Sequence, residues 1–261
     1  MKLKLYQIDA FTNKIFGGNA ACVVPLTEWL NDNILLQIAK ENAVAETAFF
    51  IDNGHKIHLR WFTQEIEMDL CGHATLATAH CLKTILNYAG NKIIFETLSG
   101  DLTVLFDKDF YQLDLPSRMP AEAEIPINIQ KSLSIQPTKV LKSRDYILVY
   151  ENETQVKNIK INRNFFDEIN LGTGGVIVTA IGDNSDFVSR FFTPQAAILE
   201  DPVTGSAHCS LVPYWAAILN KKDLFAIQVS ERVGELYCTL NDDRVILRGQ
   251  AKTYLIGNMW I

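Results

Sequence analysis

Arg60-Trp61-Phe62-Thr63-Gln64, then Asp69-Leu70-Cys71-Gly72-His73-Ala74-Thr75, then an apolar run through Leu76, Ala79, Leu82 and Ile85, reads as strand, loop, glycine and helix. The same order returns later. Arg190-Phe191-Phe192-Thr193-Pro194 leads to Glu200-Asp201-Pro202-Val203-Thr204-Gly205-Ser206-Ala207, with Leu211, Trp215 and Ile218 behind it. Gly72 follows Arg60 by 12 residues and Gly205 follows Arg190 by 15, so a three-residue insertion separates the copies. A helix start preceded by glycine presents unpaired N–H donors and the positive end of a dipole. Two such ends are expected to face each other across a cleft and hold one anionic small molecule. Aromatic strands and glycine-started helices also recur by chance; a six-position match with the same following helix favours an internal duplication.

Composition bounds the partners. The chain has 261 residues, enough for two modest domains, and its 48% hydrophobic and 21% charged content is that of an ordinary globular protein. A net charge of −6 with no basic stripe argues against nucleic acid as a partner. No stretch approaches the ~20 apolar residues of a membrane span, and Met1–Asp9 alternates like a strand and lacks the apolar core of a signal peptide. Five widely spaced cysteines (Cys22, Cys71, Cys81, Cys209, Cys238) do not make a disulfide framework. A cytoplasmic setting follows as the expectation.

In the first half, strands are expected at Lys4–Asp9 and Ala21–Val24, flanking a turn at Gly17-Gly18-Asn19, and a helix over Trp29–Asn42. Ala45–Ile51 and Lys56–Thr63 pair around Asn53-Gly54. After the Gly72 helix come strands at Lys92–Leu98, Leu102–Phe106 and Tyr111–Leu115. Pro116, Pro120 and Pro126 mark the boundary, giving domains 1–118 and 119–261. The second half reads as a helix near Ile127–Leu133, strands at Lys139–Leu141 and Tyr146–Tyr150, a helix near Asn164–Ile169, strands at Val176–Ala180 and Phe187–Thr193, the Gly205 helix and three closing strands. Strands outnumber helices, and each half has one nearly all-apolar helix, which belongs in the middle of a fold. The expected class is α+β: two pseudo-symmetric halves, each a curved, mostly antiparallel sheet wrapped around a central helix.

Glu46, an acid among small and apolar residues in Ala43–Phe50, is the first candidate: burial there would raise its pKa toward general acid/base use. The bland alternative is a strand-edge glutamate facing solvent. Asp201 reaches over the Gly205 helix start, or simply caps it. His73 follows Gly72, with Ser206 as its repeat partner, and the helix dipole is expected to keep it neutral. Cys71 beside a helix start is a candidate low-pKa thiol. A two-thiol racemase needs a second cysteine, and the second copy offers Asp201-Pro202-Val203 there. His80 and His208 lack metal-ligand spacing, so no metal site is expected. Gly17-Gly18-Asn19 lacks the phosphate-loop ending, and Gly172-Thr173-Gly174-Gly175 leads into a strand, so neither signals a nucleotide cofactor.

Asp9-Ala10-Phe11-Thr12 with Phe16-Gly17-Gly18-Asn19, Glu46-Thr47-Ala48-Phe49, Cys71-Gly72-His73-Ala74-Thr75 and Glu200-Asp201-Pro202-Val203-Thr204-Gly205-Ser206-Ala207 resemble the phenazine-biosynthesis isomerase (PhzF-like) family. The resemblance spans nearly the whole chain and implies a diaminopimelate epimerase-like fold with a cleft between its halves. It implies that Glu46 is the proton-transferring acid. Asn19, His73, Asp201 and Ser206, with the amides at Gly72 and Gly205, are then the substrate-binding groups. The family's defining member isomerises a dihydro-hydroxyanthranilate with neither metal nor cofactor. Two departures bear on substrate: Ala20 replaces the usual proline, and Arg232-Val233-Gly234 replaces a more glycine-rich turn.

The expected function is a cofactor-independent isomerase moving a proton on a small amino or hydroxy carboxylate. The alternatives are a racemase or epimerase using Cys71, and a non-catalytic metabolite-binding protein of the same fold. A homodimer is the base-rate expectation.

Overall fold

The computed structural model describes residues 1–261. In chain order, the first half contains β1 (Lys2–Ala10), β2 (Asn19–Pro25), α1 (Asp32–Asn42), β3 (Glu46–Asp52), β4 (Ile57–Phe62), β5 (Glu67–Met68), α2 (Gly72–His80), β6 (Lys92–Thr97), β7 (Gly100–Asp107) and β8 (Phe110–Pro116). The remainder contains β9 (Ala121–Glu122), α3 (Ile127–Ser132), β10 (Lys139–Lys142), β11 (Tyr146–Val149), α4 (Glu153–Asn158), α5 (Arg163–Phe166), β12 (Val176–Ile181), β13 (Phe187–Phe192), β14 (Glu200–Asp201), α6 (Gly205–Leu219), β15 (Asp223–Gln228), β16 (Gly234–Asn241), β17 (Arg244–Gly249) and β18 (Ala251–Trp260).

Two compact units result, Met1–Leu115 with Ile246–Ile261, and Pro116–Val245. A single cut at 118/119 differs from this at the C-terminus. Four strands, not three, follow the Gly205 helix, and β18 pairs antiparallel with β1 from Lys2↔Trp260 to Ala10↔Ala251. That pairing returns the last residues to the first unit. Neither strand announces its partner, because long-range pairing is set by tertiary packing and not by local pattern.

Within the first unit the strand order is β18-β1-β2-β3-β4-β6-β7-β8, with parallel steps only at β2–β3 and β4–β6. Within the second it is β9-β10-β11-β12-β13-β15-β16, with parallel steps only at β11–β12 and β13–β15. The second order matches the run from β18 to β7 position for position, with its parallel steps in the same two places. The short strands β5 and β14 add antiparallel to β4 and β13 in the same place. The first unit takes its outermost strand from the chain's end, the second from β9.

The repeat helices are buried, α2 throughout and α6 from Gly205 to Pro213, whereas Ile218 in the last turn of α6 is exposed. All nine residues of α2 are buried, and it packs on β1, β2 and β3. Thr75 and Thr78 point into this apolar setting because their hydroxyls donate to the carbonyls of Cys71 (2.6 Å) and Ala74 (2.7 Å). α6 carries Pro213 inside it, which leaves the Cys209 carbonyl without its intrahelical donor. The Arg118 backbone N–H fills that vacancy at 2.8 Å. The opposite face of the first sheet is covered by α1, through Leu35, Ile38 and Ala39 against Val24, Phe49 and Phe62. α1 starts at Asp32 rather than Trp29 because Asn31 caps it, its side chain accepting from the Asn33 N–H at 3.0 Å. Trp29 lies outside the helix and donates to His58 Nδ1 at 3.1 Å. The corresponding face of the second sheet holds Leu148, Val176, Val178, Val188 and Phe192 against Ile129, Val156 and Phe166 of α3, α4 and α5. The helix at Glu153–Asn158 escapes the sequence pattern, having a single buried apolar residue, Val156.

No helix is long and apolar enough to cross a membrane.

Candidate active site

In the first unit three elements begin together: β2 at Asn19, β3 at Glu46 and α2 at Gly72. The parallel register sets Ala21 beside Glu46, which brings the starts of both strands to one edge. Gly18, at φ +60°, makes the turn into β2. His73 sits at the convergence. Its Nε2 lies 3.0 Å from Glu46 Oε2, with the side chains only 3% and 12% exposed. The two make a buried ion pair, and neither atom has a further hydrogen-bond partner. On the far side of the ring, Nδ1 meets Asn19 Nδ2 at 3.2 Å and Cys71 Sγ at 3.6 Å. The sequence-predicted residues Asn19, Glu46, Gly72 and His73 are therefore neighbours, and Cys71 joins them.

Two electrostatic expectations are overturned. Burial is the largest single influence on His73 and disfavours its cation, but the charges and hydrogen bonds of Cys71 and Glu46 outweigh it and raise the imidazole pKa well above its ordinary value. Burial, and then the charge of Glu46, push the Cys71 thiol up to about 11, so it is neutral at physiological pH. The helix start does not neutralise His73, and it does not make Cys71 a thiolate. Nor are the surroundings of Glu46 purely apolar, since its carboxylate faces an imidazole.

The second unit assembles Asp201, Gly205 and Ser206. Thr204 is the N-cap residue of α6, yet its hydroxyl donates to Asp201 Oδ2 at 2.5 Å and makes no capping bond to the helix. Gln228, wholly buried, fixes this approach: its Oε1 accepts from the Thr204 N–H at 2.8 Å and its Nε2 donates to the Asp201 carbonyl at 2.7 Å. Cys71, the N-cap of α2, likewise makes no side-chain bond into its helix. Asp201 is thus held by Thr204, which itself stands at the N-cap position. Gln228 was not singled out in the sequence, since a lone glutamine in a strand carries no signal.

A pair of struts sets the register between the copies. Arg60 bonds both oxygens of Glu67 at 2.7 Å, and Arg190 bonds both oxygens of Glu200 at 2.7 Å. From each glutamate to its helix glycine is five residues, so the insertion lies between the strand and the strut. Thr204, not the Asp201–Val203 stretch, is therefore the counterpart of Cys71, and Ser206 that of His73. Counting back through the strand registers, Phe49↔Arg60 matches Val178↔Arg190, which sets Glu46 opposite Gly175. Gly175 has no room for a side chain: a Cβ there would overlap the Phe191 ring and come within 2.8 Å of the Phe192 carbonyl oxygen. Its N–H donates to Asp145 Oδ1 at 2.9 Å. One copy carries the acid and the other is built without it.

Glu46, Cys71 and His73 also each offer a metal-ligating atom, all within 4.8 Å of one another. Sequence spacing gave no hint of this, because Glu46 comes from β3 and the other two from the start of α2.

The sequence profile of phenazine biosynthesis-like proteins matches residues 8–257. An uncharacterised isomerase of Pseudomonas aeruginosa is 44% identical over 260 residues, covering 99% of each chain. The crystal structure of a PhzF-family phenazine biosynthesis protein from Enterococcus faecalis superposes with a TM-score of 0.94 at 41% identity, covering 100% of both chains. A hydroxyproline epimerase from Agrobacterium vitis, at 9% identity, 98% and 92% coverage and a TM-score of 0.66, shares the fold alone. These likenesses and the duplicated topology agree with the epimerase-like fold expected from the sequence, and the chain belongs to the phenazine biosynthesis-like protein family.

Proposed function

We propose that this protein is an isomerase that moves a proton on a small amino or hydroxy carboxylate, with Glu46 as the acid/base. The observation that carries the reading is the buried 3.0 Å ion pair of Glu46 Oε2 with His73 Nε2 at the start of α2, neither atom having another partner. A buried carboxylate–imidazole pair with no other partner, each group perturbing the other's protonation, is a feature that clusters at functional sites.

In the proposed reaction Glu46 takes a proton from an activated carbon. The C–H bond breaks, an O–H bond forms on Glu46, and the electron pair delocalises into the adjacent unsaturated or carboxylate system. Glu46 then returns the proton to a different carbon. His73, held as imidazolium, and the amides at Gly72 stabilise the negative charge that develops. Asp201, Gly205 and Ser206 are proposed as substrate-binding groups, and Asn19 orients the His73 ring. No organic cofactor is needed for this chemistry. Cys71 counts against the racemase reading, since its thiol is held neutral and its counterpart is Thr204.

The test is deuterium incorporation from heavy water into candidate carboxylates. A shift of the double bond with incorporation supports isomerisation. Inversion without a shift indicates a racemase. No exchange with any ligand that binds indicates a binding protein.

A further inference from the structure

We propose that the outer edge of β18 is an isologous interface, at which two copies of this chain join by antiparallel β18–β18 pairing. β18 is the outermost strand of the first unit and is paired along one edge with β1. An outer strand presents a row of N–H and C=O groups that invites another strand, and monomeric proteins blunt it with charge, proline or a bulge. β18 carries such devices only at its start. Its register with β1 steps from Gln7↔Leu255 to Ile8↔Thr253, so Tyr254 is a bulge, and Lys252 lies beyond it. From Leu255 to Trp260 the strand runs in unbroken register and contains no charged residue, no proline and no bulge.

The side chains along this edge are apolar on both faces. Successive residues of a strand point opposite ways. Ile256 and Trp260, 58% and 72% exposed, share one face. Leu255 and Met259 share the other, where Met259 packs on the α1 core. Leu30 and Ile34 of α1, with Met1 and Ile261, help line a mostly apolar hollow. This exposed apolar surface, together with the strand edge, is of the order of the ~800 Å² that each partner gives to a stable interface. The occupant is a second copy because identical edges laid antiparallel exchange donors and acceptors reciprocally, and a two-fold contact closes after two chains. Charge permits it. The nearest lysines, Lys2 and Lys4, stand on β1, with the Lys2 ammonium 5.4 Å from the Trp260 ring centre. Across the seam the two β1 strands are three strand spacings, ~14 Å, apart. Salt screens exposed charges beyond ~8 Å.

The seam is independent of the chemistry proposed for Glu46, so its test needs no substrate. Sedimentation velocity over a dilution series compares wild type with Ile256→Lys, Trp260→Glu and Ile181→Lys. The last alters an isoleucine that is 49% exposed at the end of β12. Wild type should sediment as a two-chain species. Ile256→Lys and Trp260→Glu each place a charge in the seam and should weaken association by at least ~30-fold, as loss of a central interface anchor does. Ile181→Lys should associate as wild type. Circular dichroism checks the fold of each variant, and Trp260→Glu carries the test where Ile256→Lys does not fold. Amide hydrogen exchange then reads the backbone: Leu255–Trp260 should exchange more slowly in the two-chain species than in the dissociated chain. A wild type that remains a single chain at every concentration overturns the proposal, as does a dimer that both substitutions leave unweakened. A dimer whose Leu255–Trp260 amides exchange as fast as those of the single chain is held elsewhere, and refutes the β18 seam.

Discussion

Glu46 and Gly175 occupy the same place in two copies of one strand, and only the first has room for a side chain. A duplicated fold offers two chemically equivalent positions beside its two helix starts. Here one holds a carboxylate against His73, and the other is closed by Phe191. The proton-transfer chemistry proposed is accordingly one-sided: a single group takes the proton and gives it back.

Gly175→Ala is the first test of that asymmetry. The added methyl meets the Phe191 ring and the Phe192 carbonyl, so the variant should lose about 1–3 kcal/mol of stability, as overpacked sites do. Denaturant unfolding measures it. A variant as stable as wild type would show that the second copy tolerates a side chain there.

The struts should behave alike. Arg60→Ala leaves Glu67 half-buried without its bidentate partner, and Arg190→Ala does the same to Glu200. Each should cost about 1–3 kcal/mol, with lysine a poor substitute because it cannot make two parallel bonds to a carboxylate. Arg190 also donates to the carbonyls of Val156, Lys157 and Ile159 at the end of α4, so its loss should be the greater of the two. Equal melting curves for Arg60→Lys and wild type would refute the bidentate role.

The strand–loop–glycine–helix pattern made the duplication legible, because Arg60 and Arg190 stand at matched positions of an otherwise diverged sequence. It did not show why those arginines recur. Glu67 and Glu200 pair with them only after β5 and β14 fold back. Glu46 was readable as an acid in an apolar strand, but its pairing with His73 depends on the parallel β2–β3 register, a long-range feature. The charge on His73 was misjudged for the same reason. A helix dipole is visible in sequence, whereas the carboxylate that overrides it arrives from another element. The return of β18 to β1 and the hold of Gln228 on Asp201 are likewise tertiary facts without a local signal.

Acid should destabilise the protein through its neutral buried histidines. Burial lowers the pKa of His208 to about 4, with its bond to the Thr204 carbonyl opposing the shift, and burial and then the charge of Lys252 lower His80 to about 4. Unfolded, each titrates near 6.5. Between about pH 6.5 and 4 the unfolded chain binds the extra protons, so stability falls as pH falls, by up to about 3 kcal/mol for His208 alone. His73 has the opposite sign. Its raised pKa contributes stability that is present below pH 6.5 and is lost as pH rises through the folded value. Urea unfolding from pH 7 to 4 of wild type and His208→Leu checks the acid limb. The variant should have the shallower slope, and parallel slopes would rule out His208 as its source.

Cys71→Ala should leave turnover within about tenfold of wild type, because a thiol held neutral contributes little to proton transfer at physiological pH. Complete loss of turnover in a folded Cys71→Ala would instead favour a racemase with Cys71 as one base.

The most direct test of the account compares wild type with Glu46→Gln for deuterium uptake from heavy water into a carboxylate that both bind. Glutamine keeps the size of the side chain but cannot accept the proton. The account predicts uptake by the wild type and a loss of ~10²–10⁴-fold in the variant, with binding retained. Uptake by Glu46→Gln at the wild-type rate would contradict it.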